Sequence, residues 1–224
     1  MRMRSLVVPL AFVVAASSLV AAGPQPAVDD PGGGDDITRE RGTADDAAKD
    51  ALEGAPPPAL RGKLWRNVTT PPRLTDHLGD VVVVQFWHVG SPAARDALVE
   101  LDALQRKRAD EGLVVVAVHP ARDLVEAARF LAVTPLQIPL CVDAGPMETD
   151  YVVDGYPDAH LVDRFGVLRV ADVADADLAT AIDCLLAEPR PGGAPERAPR
   201  RLTPRSSTPA RPLGSTGGAA PDAP

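Results

Sequence analysis

The chain is short of aromatic residues and almost without cysteine: 224 residues include two Trp, two Tyr, four Phe and two Cys. Two cysteines exclude a disulfide-rich scaffold and any zinc site built from cysteine alone. Four scattered histidines share no element at ligand-like spacing, so no metal is expected, and no pattern asks for an organic cofactor. Positive charge is scarce as well. Lys and Arg number 23 against 31 Asp and Glu, and the net charge of −8 argues against nucleic acid as a partner. What the chain has in excess is 24 Pro and 18 Gly, too many for a wholly compact protein of 45% hydrophobic residues. Most of the surplus lies at the two ends.

Residues 1–22 read as an export signal. Arg2 and Arg4 form a positive start, residues 5–22 carry no charge, and Val20, Ala21 and Ala22 offer a small-residue exit. An uncleaved membrane anchor is the alternative, because 18 uncharged residues approach the spanning minimum. Either way the body of the protein is expected outside the cytoplasm, periplasmic or extracellular, with the membrane touched only through residues 5–22. Residues 23–56 hold nine acidic and three basic residues, a Gly32-Gly33-Gly34 run and no aromatic. Such a segment buries too little apolar surface to offset ordering entropy, and a disordered acidic linker is expected, within which residues 45–53 could form a short helix. Residues 189–224, with nine Pro and six Arg, read as a disordered Pro/Arg-rich tail. That leaves one domain over residues 57–188.

Within it, residues 81–87 (VVVVQFW) form an apolar, β-branched run, the pattern of a strand buried on both faces. Ser91-Pro92 opens a helix with a cap and a first-turn proline, and Gly112 ends it. Residues 113–118 read as a second buried strand. Residues 122–132 read as a helix with Leu124, Val125, Ala128 and Leu131 inward. A short strand follows at 138–142 and a helix at 147–153. Strands at 160–163 and 167–173 form a hairpin, and a helix at 175–186 turns Leu178, Ile182 and Leu185 inward. Upstream, residues 64–67 and 73–76 suggest a small hairpin. The order is that of an α/β fold with a mixed central sheet flanked by helices.

The residues that fill this order resemble a known family. Residues 81–95 (VVVVQFWHVGSPAAR) are similar to the "VVLVxFWxxxCxxCR" segment of exported thioredoxin-like and redoxin proteins, among them the cytochrome c maturation type and the thioredoxin domains found with NHL repeats. Trp65-Arg66-Asn67, residues 114–120 (VVVAVHP) and Gly155-Tyr156-Pro157 before residues 159–166 (AHLVDRFG) resemble further motifs of that group. The resemblance implies a thioredoxin fold with an inserted helix and strand between Arg122 and Val142, and a cis peptide before Pro157 facing the active site.

One departure bears on function. Where the family carries two cysteines, this chain has Ser91 and Ala94. Exchange chemistry needs a thiolate at the helix N-terminus and a second thiol to resolve the mixed disulfide. A serine hydroxyl forms no disulfide and alanine resolves nothing, so Ser91 is expected as a helix cap and no catalytic residue is expected in this motif. A Ser91–His88 nucleophile lacks an orienting third group and an oxyanion hole. His77 reads as surface, His88 as loop, and His119 and His160 as strand-end residues. Cys141 and Cys184 leave two readings open: free buried thiols, or a disulfide, which requires Cα atoms within about 7 Å. Trp87, His88, Pro92, Tyr156 and Pro157 are the expected binding groove, with Trp87 as wall or core. The expected function is an exported, redox-inactive module that binds a protein or peptide of the cell envelope. The alternatives are a thiol-disulfide oxidoreductase using Cys141 and Cys184 or a partner's thiols, and a structural role carried by the tails.

Overall fold

A computed structural model describes residues 37–192. Residues 1–22, read above as an export signal, residues 23–36 and the tail beyond 192 lie outside the described residues. Among the described residues, no helix is long and apolar enough to cross a membrane.

Five helices and six strands alternate in the order α1 (Asp46–Asp50), β1 (Lys63–Arg66), β2 (Val81–Phe86), α2 (Pro92–Arg108), β3 (Leu113–His119), α3 (Leu124–Val133), β4 (Leu140–Val142), α4 (Met147–Asp150), β5 (Asp158–Val162), β6 (Leu168–Val170) and α5 (Leu178–Ala187). The strands make one mixed sheet in the order β1-β4-β3-β2-β5-β6, with β2, β3 and β4 parallel and the rest antiparallel. This is the thioredoxin fold, and α3 with β4 is the inserted pair that the resemblance implies.

The β-branched runs sit at the centre because both faces of the sheet are covered. Val81, Val83, Val115 and Ala117 point to one face, against Leu98 and Leu101 of α2 and Ala181, Ile182 and Leu185 of α5. Val82, Val84, Phe86, Val114, Val116 and Val118 point to the other, against Met147, Tyr151, Leu52, Leu60 and Trp65. Each fully buried valine contributes about 1.5 kcal/mol or more of hydrophobic stabilisation. Asp163 shapes the β5–β6 hairpin by accepting the amides of Phe165 and Val167 at 2.8 and 2.9 Å. Gly166 completes that turn at φ +80°, where a Cβ would press on Leu78.

Several expectations are corrected. Residues 64–67 and 73–76 do not pair with each other. Strand β1 pairs antiparallel with β4, and residues 74–77 form a 3₁₀ turn. The reason is Asn67, which turns at φ +61° and donates its side-chain amide to the carbonyls of Leu136 and Ile138. His77 is buried, its Nδ1 3.4 Å from Asp80. Helix α3 turns Ala127, Phe130 and Leu131 inward, and leaves Val125 exposed and Leu124 at the rim, because Phe130 packs on the Trp87 ring. Helix α4 stops at Asp150, ahead of Val152 at φ +57°.

The largest correction concerns the acidic segment. From Ile37 onward it is folded. Ile37 joins the core, Arg39 bridges to Val173, and α1 packs its Lys49 inward. Its three basic residues each meet carboxylates: Arg39 meets Glu53 at 2.7 Å, Arg41 meets Asp50 at 2.8 Å, and Lys49 meets Asp154 at 2.7 Å and Asp172. The domain therefore begins at least twenty residues before position 57. Composition reads an excess of acid as solvated; it does not see that the few cations present are all engaged.

Candidate functional site

The site lies at the C-terminal end of β2, where the chain leaves the sheet and enters α2. Ser91 is extended and caps the helix: its Oγ accepts the Ala94 amide at 3.2 Å and donates to the Tyr156 carbonyl at 3.1 Å. Pro92 occupies the first helical position and stands exposed, while Ala94 is buried. The Tyr156–Pro157 peptide is cis and faces this helix start, as the resemblance implies. One hydroxyl therefore ties together the two loops that the sequence singled out.

Trp87 belongs to the core rather than to a groove wall. Its ring is fully buried, edge-on to His119 at 4.6 Å and tilted to Phe130 at 5.8 Å. Beside it, a cavity of about 150 Å³ is bounded by Trp87, His119, Leu124, Ala127 and Leu131. The exposed face is built instead by His88, Gly90, Pro92 and Tyr156. His88 stacks on His119 at 5.3 Å, leans on Tyr156 at 5.5 Å, and places Nε2 3.0 Å from Asp123.

Neither histidine is arranged to activate Ser91. His88 accepts the Gly90 amide on Nδ1, so Nε2 carries the proton toward Asp123. His119 accepts the Val89 amide on Nε2, so Nδ1 donates to the Pro120 carbonyl. Burial holds His119 below its usual range, against the Pro120 carbonyl and with His88 and Arg122 adding to the lowering. With both rings committed and Ser91 Oγ already bonded to two backbone groups, hydrolytic chemistry has no base here.

Three residues that sequence reasoning missed cap the loop from outside. The Tyr156 hydroxyl donates to Glu148 and accepts from Arg122 at 2.9 Å, and the Arg122 guanidinium stands 5.4 Å over the Tyr156 ring. Asp123, third of the set, adopts a left-handed backbone at φ +52°, which brings its carboxylate to His88. Burial raises Glu148 above the usual carboxylate range, against the pull of Arg122. Linear spacing carries no signal for these contacts, because 34 residues separate Arg122 from Tyr156.

Beneath the same loop lies a second group, buried but for Asp154. Asp154, Asp158 and Asp172 bring carboxylate oxygens within 4.8 Å of one another, the only such cluster among the described residues. They are donors that suit a hard cation, but the cation among them belongs to the chain: Lys49 Nζ is 2.7 Å from Asp154 and bonded to Asp172. Burial opposes the Lys49 charge, yet the three carboxylates outweigh it and raise its pKa. Burial, with Asp158 beside it, pushes Asp172 up to about 6. Asp158 lies 2.8 Å from His160 Nε2 without hydrogen-bond alignment, and neither of its oxygens has a hydrogen-bond partner.

Both cysteines are free. Cys141 is buried in β4 on the face shared with Val82 and Tyr151, while α5, which carries the exposed Cys184, packs against the opposite face. The disulfide considered from sequence is absent. Burial pushes the Cys141 thiol up to about 12. Gly62 passes so close that a Cβ there would collide with Cys141 Sγ.

No family profile matches the chain. It is 31% identical over 99 residues to the thioredoxin-like protein YneN of Bacillus subtilis, which covers 43% of this chain and 58% of that one. The chain thus spans little more than half the length of that relative. Among solved structures, it is 28% identical to a Chlorobium tepidum protein assigned as thiol:disulfide interchange protein DsbE, covering 60% of this chain and 96% of that one with a TM-score of 0.51. It is 25% identical to the thioredoxin-like superfamily protein SPOA0173, over 61% of this chain and 99% of that one, again at 0.51. A thiol-disulfide isomerase from Corynebacterium glutamicum, 24% identical over 61% of this chain and 99% of that one with a TM-score of 0.52, shares the fold.

Proposed function

We infer that this chain, a member of the thioredoxin-like family, is an exported polypeptide-binding module whose groove carries no dithiol of its own. Its solved relatives include proteins named for thiol:disulfide interchange. The observation that carries the reading is Ser91 at the start of α2. The residue that would attack a disulfide in the family is here a hydroxyl bonded to the Ala94 amide and the Tyr156 carbonyl. Ala94, where the family has its second cysteine, is a methyl group in the core. Neither remaining cysteine stands at a helix N-terminus, and they lie on opposite sides of the sheet. The geometry kept is that of the docking face: the helix start, the loop at Tyr156–Pro157, and an exposed surface of His88, Gly90 and Pro92 suited to an extended chain. The apolar, positively led residues 1–22 support a place in the cell envelope.

The test is insulin reduction by the natural chain beside the double variant Ser91→Cys/Ala94→Cys. The natural chain is expected silent and the double variant active, since the second regains a thiol where the helix dipole lowers its pKa. Binding is read separately by adding reduced, alkylated insulin B chain to the natural protein and following amide signals of Gly90, Ala94 and Gly155. Shifts confined to these positions support the groove. Insulin reduction by the natural chain would overturn redox inactivity, and shifts elsewhere would overturn the groove.

A further inference from the structure

We propose that Lys49 is a positioning residue for the site: a counter-ion carried in on the N-terminal segment, which holds the Tyr156–Pro157 loop in place from beneath. The argument starts from the position of its partners. Asp154 stands two residues before Tyr156, and Asp158 directly follows Pro157. The two carboxylates bracket the loop that forms one wall of the groove. Both turn toward Asp172, which leaves β6 with a left-handed backbone at φ +56°. Three carboxylates this close repel one another, two of them buried. Such an arrangement persists only around a positive charge.

Lys49 supplies that charge and is itself 1% exposed. Its ammonium bonds Asp154 and Asp172 and faces Asp158, whose oxygens have no hydrogen-bond donor to balance them. His160 is the other titratable group against Asp158. The segment that carries Lys49 touches the loop through Thr43, whose hydroxyl donates to Asp154 at 2.9 Å, and is anchored away from the loop as well. Arg39 and Glu53 fasten the segment on either side of α1, through Val173 and the Ala171 amide. Residues 37–56 are thus part of the site's architecture, and Asp45 lines the cleft beside Tyr156, Arg122 and Glu148. The consequence for binding rests on the groove reading above; the placement of the loop does not, and the two are measured apart.

The experiment is amide hydrogen exchange on the full chain and on the Lys49→Met and Asp154→Asn variants. Two reporters are compared. The Val153 amide, bonded to the Glu148 carbonyl at 2.9 Å, reports the loop; the Val116 amide reports the central ladder. The expected result is Val153 exchange faster by tenfold or more in Asp154→Asn with Val116 changed less than twofold, whereas Lys49→Met, which strips the buried carboxylates of their counter-ion, accelerates both reporters. Adding 5 mM CaCl₂ to a Lys49→Ala variant should slow Val153 again, because the three carboxylates then take the metal in place of the ammonium. Should Lys49→Met fail to fold, Asp154→Asn still decides, since it removes the loop's charge at an exposed position and leaves Lys49 paired with Asp172. Unchanged Val153 exchange in Asp154→Asn, or equal acceleration of both reporters in that variant, overturns the proposal. Loop exchange that responds as expected while insulin B chain binding is absent leaves Lys49 in its role and removes the groove instead.

Discussion

The Tyr156–Pro157 loop is held by two polar clusters of opposite character. Outside, Arg122, Glu148 and the Tyr156 hydroxyl meet at the surface, with His88 and Asp123 beside them. Beneath, Lys49, Asp158 and Asp172 are buried, with Asp154 at their edge. The outer pairs stand in water, which screens them and charges side-chain entropy against them; pairs of this kind are typically worth about 0–1 kcal/mol. The inner ones lie where a lost partner leaves a charge with nothing to solvate it. On the groove proposed above, the outer cluster is the part that can rearrange and the inner one the part that cannot.

The comparison can be broken or sharpened by substitution. The largest effect belongs to Lys49→Ala, expected to lower the unfolding free energy by about 3–5 kcal/mol in urea titration, as for other buried pairs deprived of one partner. A loss below ~1 kcal/mol would make the inner cluster no different from the outer one. Ser91→Ala comes next. It removes the cap of α2 and the link to Tyr156, and a drop of about 1 kcal/mol is expected from the same titration.

Asp172 gives the inner cluster a pH signature. Its pKa is pushed up to about 6 from 3.8, so between these values the folded state holds a proton that the unfolded state has released. Its contribution to stability is greatest at the acid end of that window and is lost as pH rises through about 6, on the order of 1 kcal/mol between pH 5 and 7. Thermal unfolding of the natural chain and of Asp172→Asn at both values checks the sign: the natural chain should gain more from acidification than the variant. The smallest effect is expected from Arg122→Ala, below ~1 kcal/mol and vanishing in 1 M salt. A larger, salt-resistant loss would move Arg122 into the class of Lys49.

The fold was legible wherever one residue type did one job. The valine runs of β2 and β3 announce strands buried on both faces, and Ser91-Pro92 announces a helix start. The Tyr156–Pro157 loop was legible only through its resemblance to relatives, because cis geometry leaves no trace in composition. What could not be read was pairing over distance. Lys49 meets Asp172 across 123 residues, and Asn67 meets Ile138 across 71. Trp87 looked like a candidate for the wall because it adjoins the site in sequence. It is core because Phe130, on the inserted helix, reaches it. His77 looked exposed because its neighbours Asp76 and Leu78 are exposed; a single 3₁₀ turn suffices to tuck it in.

The close passage of Gly62 over Cys141 has a further consequence. Lifting the edge strand β1 from β4 uncovers that sulfur, whereas Cys184 is exposed on α5. The chain thus carries its own clock and its own reference. The rate at which Cys141 is alkylated, set against that of Cys184, measures how often one margin of the sheet breathes, without any label having to be introduced.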